Sequence, residues 1–236
     1  MAHSANGDCT LVIMAKAPRP GLVKTRLAQS LPQPAVVELY RCLLEDTMAL
    51  AQSLGGAHVA IMCPASDVED LSRIAGKRAP VVAQMGDGLA AGLTSVFRHF
   101  TETARRRIIA FNSDSPHLPA AVLQRAFEAL ATCDVVIGPT HDGGYYLVGA
   151  KATHPGLFNG DRMGTSTALE ALLSRVRASG FSLCLVDPFY DIDVASDLIR
   201  LDADLRLSAP RAPRTAAWLA QWRPVVERLR SGIGGL

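Results

Sequence analysis

Arg107-Ile108-Ile109-Ala110-Phe111-Asn112-Ser113-Asp114-Ser115-Pro116-His117-Leu118-Pro119 decides how this chain is read. It begins as a short apolar run rich in β-branched and aromatic residues, long enough for a buried strand. It ends in small polar residues, a carboxylate and two prolines. Pro116 has no backbone donor and restricts Ser115, so the strand stops near Asp114. One carboxylate is thereby carried to the carboxyl end of a central strand, the edge at which open α/β sheets bind ligands. An aspartate there can also simply cap a turn, with Pro119 starting the next helix. The other segments favour a metal-dependent, phosphate-handling site.

Upstream, Cys9 to Ala15 is a near-continuous apolar run and reads as the first buried strand. Lys16-Ala17-Pro18-Arg19-Pro20-Gly21-Leu22-Val23-Lys24-Thr25-Arg26-Leu27 follows, and its prolines and glycine forbid regular structure. Backbone amides, a hydroxyl and four cations suit a polyphosphate, although a solvated basic loop is the plainer alternative. The G-x-x-x-x-G-K-[ST] spacing of a Walker A loop is absent. Helical spacing runs from Ala35 to Leu54, and His58 to Cys63 is a second strand. Ser66 or Asp67 caps a short helix ending near Gly76, and Pro80 to Gln84 is a third strand. It leads into Met85-Gly86-Asp87-Gly88-Leu89, where glycines let a ligand approach the start of a helix running to about Arg105. Arg105 to Arg107 read as that helix's C-terminus.

Downstream, a helix spans Ala120 to Ala131 and a strand Asp134 to Pro139. Thr140-His141-Asp142-Gly143-Gly144 is turn chemistry, and Tyr145 to Gly149 is a strand. The turn explains the glycines but not His141 and Asp142 at the same edge. A polar loop from Phe158 leads to a helix from about Ser166 to Ala178, with Thr165 or Ser166 as its cap. Phe181 to Val186 is the last clear strand. Beyond it, Asp191 and Asp193 point the same way if the segment is extended. Two crowded carboxylates repel unless a cation sits by them. Asp193 can also cap the helix from Ala195 to Leu205. The tail from Ser208 reads as a linker and one amphipathic helix, packed on the domain or on a partner subunit of a homodimer.

The 236 residues are 49% hydrophobic, enough for one large α/β domain. A net charge of +2 argues against a dedicated nucleic-acid binder. The five cysteines are odd in number and form no C-x-x-C pair, so they read as buried thiols of a reducing cytoplasm. Met1 to Asp8 lacks an apolar signal core, and no apolar run reaches the ~18 residues of a membrane span. A soluble, cytoplasmic protein is expected.

Strands alternating with helices predict a doubly wound, mostly parallel α/β sheet over residues 9–205, with a basic helical tail over 206–236. Within that frame the run Met14 to Leu27, Ser113-Asp114-Ser115-Pro116, Gly138 to Tyr146 and Tyr190-Asp191-Ile192-Asp193 together resemble one family. It is the bacterial glycosyltransferase-A-like transferase family of the nucleotide-diphospho-sugar transferase superfamily. Phospholactate and molybdenum-cofactor guanylyltransferases are its relatives. Asn112 and Val194-Ala195-Ser196 depart from the pattern, where relatives often carry Gly and Thr-Pro-Glu. The resemblance implies a nucleotide over the first strands with a divalent metal on its phosphates. Asp114 looks like the family's metal carboxylate, and Asp193, with Asp191, is similar to the second metal-side group. Lys16, Lys24 and Arg26 would face the phosphates. Gln84, Gly86 and Gly88 would border the base or ribose. Ala15, Thr25 and Ser113 complete the implied nucleotide contacts.

Nucleotidyl transfer is the expected reaction. A phosphorylated or hydroxylic acceptor attacks the α-phosphorus of an NTP, with Lys24 and Arg26 stabilising the leaving pyrophosphate. Hard oxygen ligands favour Mg²⁺ or Mn²⁺. Glycosyl transfer from an NDP-sugar is the rival, with Asp142 or His141 as base. A non-catalytic nucleotide sensor is the third reading.

Overall fold

The structure is a computed structural model and describes residues 8–103, 106–158, 166–207 and 211–233. Its strands are β1 (Cys9–Met14), β2 (His58–Cys63), β3 (Val81–Ala83), β4 (Arg107–Asn112), β5 (Val135–Pro139), β6 (Tyr145–Ala150) and β7 (Leu183–Leu185). Its α-helices are α1 (Gln33–Ser53), α2 (Val68–Ala75), α3 (Gly88–Glu102), α4 (Ala120–Thr132), α5 (Ala168–Ala178), α6 (Ala195–Leu207), α7 (Pro213–Gln221) and α8 (Arg223–Ile233). The seven strands form one sheet in the order β3-β2-β1-β4-β6-β5-β7. All pairings are parallel except those of β6, which runs antiparallel between β4 and β5. The expected doubly wound α/β architecture is therefore the observed one.

Alternation along the strands sorts the core into two layers. Leu11, Ile13, Ile61, Ile109 and Phe111 meet α1, α2 and α4 on one face. Val12, Ala60, Ile108, Ala110 and Val148 meet α3 and α5 on the other. A third cluster backs α1 with α6, α7 and α8 through Leu39, Leu43, Leu198, Trp218 and Val226. Among the described residues no helix is long and apolar enough to cross a membrane.

Three expectations are corrected. Arg107 opens β4 rather than closing a helix, because it pairs in register with Cys9, and Arg106 donates its amide to Asp8. Arg105 lies outside the described residues, as do Thr165 and most of the polar loop before α5, whose N-cap position is Thr167. The tail holds two helices instead of one. Pro224 cannot continue α7 but is tolerated in the first turn of α8. Of the five cysteines, Cys133 and Cys184 are joined in a disulfide with Cα atoms 6.0 Å apart. The parallel β5–β7 pairing brings these residues together across 51 positions of sequence.

Candidate active site

Met14 and Asn112 are register partners at the ends of β1 and β4, so the loops that follow them leave the sheet side by side. The β5 end joins the same edge. Phe189 donates its amide to Pro139, and Thr140 bridges to Phe189. The amide of Ile192 then donates to the Asp114 carbonyl at 3.1 Å, and the Ser115 hydroxyl donates to the Tyr190 carbonyl at 3.1 Å. These bonds hold the Asp191–Asp193 segment against the end of β4. Oxygens of Asp114, Asp191 and Asp193 lie within 4.8 Å of one another.

Lys24 sits among them. Its side chain is only 4% exposed, and its ammonium lies 2.9 Å from Asp114 and 2.7 Å from Asp193. Burial alone would lower its pKa, but the two carboxylates outweigh that and raise it. Arg26 pairs with the other oxygen of Asp193. Burial would raise the Asp193 pKa, yet the two cations hold it below the usual carboxylate range. Asp191 makes no ion pair among the described residues, and the nearby Lys24 charge only partly offsets what raises its pKa. Burial, then the charge of Asp193, push it up to about 6. The N-terminus of α6 is capped by Asp197, which accepts from the amides of Asp193 and Val194 at 2.9 and 2.8 Å. The Asp193 carboxylate pairs with Lys24 and Arg26 and faces the cluster.

The four loop cations divide. Arg19 is committed to α2, pairing with Asp67 at 3.0 Å and Asp70 at 2.6 Å. Asp67, expected as a helix cap, instead accepts from Arg19 and from the Ala17 amide at 2.9 Å. Lys16 is exposed on the cleft, and its amide donates to the Tyr40 hydroxyl at 3.0 Å. That hydroxyl shares a 3.1 Å hydrogen bond with Ser113, and burial pushes its pKa up to about 12.

Two clefts meet at the cluster. The first, of about 560 Å³, is lined by Ala15, Lys16, Lys24, Thr25, Arg26, Gln84, Gly88, Ser113, Asp114 and Asp193, with Tyr40, Asp87 and Leu89. The second, of about 640 Å³, is lined by Asn112, Asp114, Thr140, Asp142, Tyr145, Ser166, Asp191 and Asp193. Arg26, Asp114 and Asp193 belong to both walls. Gly86 is outside both: its carbonyl, like that of Gly88, accepts from the Gln84 side chain, at 2.8 and 3.3 Å. The Gln84 amide nitrogen thus braces its own loop, although the residue lines the first cleft. Asp142 lines the second cleft and accepts from Thr140 and from the Gly144 amide. His141 is exposed and lines neither cleft. Tyr40 was missed by sequence reasoning, because at helical spacing beside Val36 and Leu39 it reads as core.

The trio's donor set suits a hard cation. One carboxylate oxygen from each residue lies within 4.8 Å of the other two, which gathers hard oxygen donors at one place. All three groups are carboxylates, the ligand type such ions prefer.

The bacterial family described as "Uncharacterized protein conserved in bacteria (DUF2064)" matches residues 47–165. No curated protein matches the chain in sequence. Among solved structures, a candidate nucleotide-diphospho-sugar transferase of Desulfovibrio desulfuricans G20 is similar, at 25% identity and a TM-score of 0.84. That match covers 94% of this chain and 98% of the other. A nucleotidyl transferase of Methanothermobacter has 19% identity and a TM-score of 0.58, covering 86% and 100%. A 4-diphosphocytidyl-2C-methyl-D-erythritol synthase of Anaerococcus prevotii DSM 20548 has 12% identity and a TM-score of 0.57, also covering 86% and 100%. The fold is that of the nucleotide-diphospho-sugar transferases.

Proposed function

The chain belongs to the bacterial family DUF2064, and we propose that it is a metal-dependent nucleotidyltransferase, moving a nucleotidyl group from an NTP to a small phosphorylated acceptor with release of pyrophosphate. One observation carries this reading: the Lys24 ammonium lies between Asp114 and Asp193 in a cluster bordering both clefts. A donor in one cleft and an acceptor in the other would meet at these residues. The likeness to a nucleotide-diphospho-sugar transferase supports the reaction class.

The first cleft takes the nucleotide. Lys16, Lys24 and Arg26 bind its phosphates, with Ala15, Thr25 and Ser113 beside them, and Gln84 and Gly88 border the base or ribose. Asp114, Asp191 and Asp193 would hold Mg²⁺ or Mn²⁺. Bound there, the ion supplies charge neutralisation for the phosphates. Lys24 and Arg26 stabilise charge developing on the leaving pyrophosphate. The acceptor occupies the second cleft, positioned by polar groups of Asn112, Thr140 and Ser166. A phosphate acceptor is already ionised at neutral pH and needs no base.

Asp142 favours a second reading, glycosyl transfer from an NDP-sugar. Its carboxylate, held by Thr140 and Gly144, borders the acceptor cleft, where a hydroxyl would need a base. Incubation with the four NTPs and common NDP-sugars, with Mg²⁺ or Mn²⁺, separates the two. Released pyrophosphate supports the first reading and released NDP the second. Nucleotide binding by calorimetry with no donor consumed under any acceptor would leave a sensor.

A further inference from the structure

We propose that the Lys24 ammonium stands in for the divalent cation until nucleotide arrives, so that the cation binds well only together with the nucleotide. This rests on the reading of the acidic trio as a cation site and of the first cleft as the nucleotide site. Lys24 is nearly sealed, and its ammonium is within hydrogen-bond distance of both Asp114 and Asp193. Its backbone adopts φ +47°, a left-handed conformation that a residue with a side chain keeps only where its surroundings over-determine it. Arg26 adds a second cation on Asp193. Two cations against three carboxylates leave one negative charge, so the cluster is close to neutral.

A divalent ion entering this cluster alone would lie beside a buried ammonium and be repelled. The ammonium cannot simply leave, because a buried charge needs a partner. The first cleft provides one. Lys24 lines it, and a triphosphate there offers anionic oxygens to both Lys24 and Arg26. Nucleotide and cation thus exchange partners with the protein: the phosphates take the two side-chain cations, and the carboxylates take the metal. Lys24 keeps Asp114 and Asp193 drawn together until that exchange, which pre-forms the site.

The test is Mn²⁺ binding to the full chain, by calorimetry and by electron paramagnetic resonance, at constant neutral pH with and without each of the four NTPs. The wild-type protein should bind Mn²⁺ about tenfold or more tightly with its cognate NTP present. Lys24→Met and Lys24→Gln should bind Mn²⁺ alone about tenfold or more tightly than wild type, and should lose most of the coupling to nucleotide. Equal wild-type affinity with and without every NTP overturns the proposal. So do folded variants that bind Mn²⁺ alone no more tightly than wild type. If circular dichroism finds both variants unfolded, the wild-type comparison alone still decides. Absence of Mn²⁺ binding in wild type and both variants under every condition would instead overturn the cation-site reading, and this proposal with it.

Discussion

The Ile192 amide donates to the Asp114 carbonyl, and that one backbone bond places a carboxylate on each side of Ile192 next to the end of β4. Asp114 lies 77 to 79 positions from its acidic neighbours in sequence, yet the three share one small volume. The Ser115 tie to Tyr190 makes the junction two-pronged.

Replacing Asp114 with Ala should cut turnover by about 100-fold or more, because it removes one carboxylate of the proposed cation site and one of two partners of Lys24. Pyrophosphate release under saturating NTP checks this. Undiminished activity would refute the assignment of Asp114 to the site.

Asp191 has a pKa of about 6 when folded, above its ordinary value of 3.8. The folded protein therefore holds this proton more tightly than the unfolded chain. Stability is favoured below about pH 4, where both states are protonated, and is lost progressively as pH rises towards 6. Asp191→Asn should gain on wild type across that window and then level off, by at most about 3 kcal/mol. Melting curves of both proteins at a series of pH values measure the difference. Divalent-cation affinity of the wild type should fall as pH drops through about 6, since the ligand must lose its proton.

Tyr40→Phe should weaken both fold and site. The Lys16 amide loses its acceptor, and the buried Ser113 hydroxyl loses a partner. The expected cost is about 1–3 kcal/mol, with looser nucleotide binding because the basic loop loses an anchor. Calorimetric melting and NTP titration read the two effects separately.

Asp46 on α1 is buried and accepts from the Thr215 amide and hydroxyl, both at 2.8 Å, and from the Arg214 amide at 3.3 Å. It satisfies the first turn of α7 from another element. Asp46→Ala leaves those donors unpaired and should cost about 3–5 kcal/mol, lowering the melting temperature by about 6–20 °C. Limited proteolysis should then release the C-terminal helices first. Unchanged protease resistance of that region would contradict the role.

The strands were legible because their runs are apolar and β-branched. His58 to Cys63 is bounded as its sequence reads. The short turn from Thr140 to Gly144 makes β6 run back along β5, but the insertion of β6 beside β4 was hidden. The acids were legible as a group, because carboxylates at strand ends need a cation. Lys24 was not. In sequence it is one solvated-looking cation among four, and its partners lie 90 and 169 residues away. Arg19 has the same look, yet it is spent on Asp67 and Asp70. Asp193 reads from sequence as a cap of α6, but it is Asp197 that accepts from the amides entering that helix. The tail could be read as packing on the domain or on a partner; Trp218 and Trp222 stack on each other, with Trp218 buried against α1 and α6 of the same chain.

The two clefts share Arg26, Asp114 and Asp193 in their walls, so a donor in one and an acceptor in the other would meet at those side chains. On the proposed reading, the reaction should therefore run through a ternary complex. Initial-rate plots against donor concentration, taken at several acceptor levels, should intersect. Parallel lines would mean that a group is parked on the enzyme between two half-reactions, an itinerary this arrangement of chambers does not require.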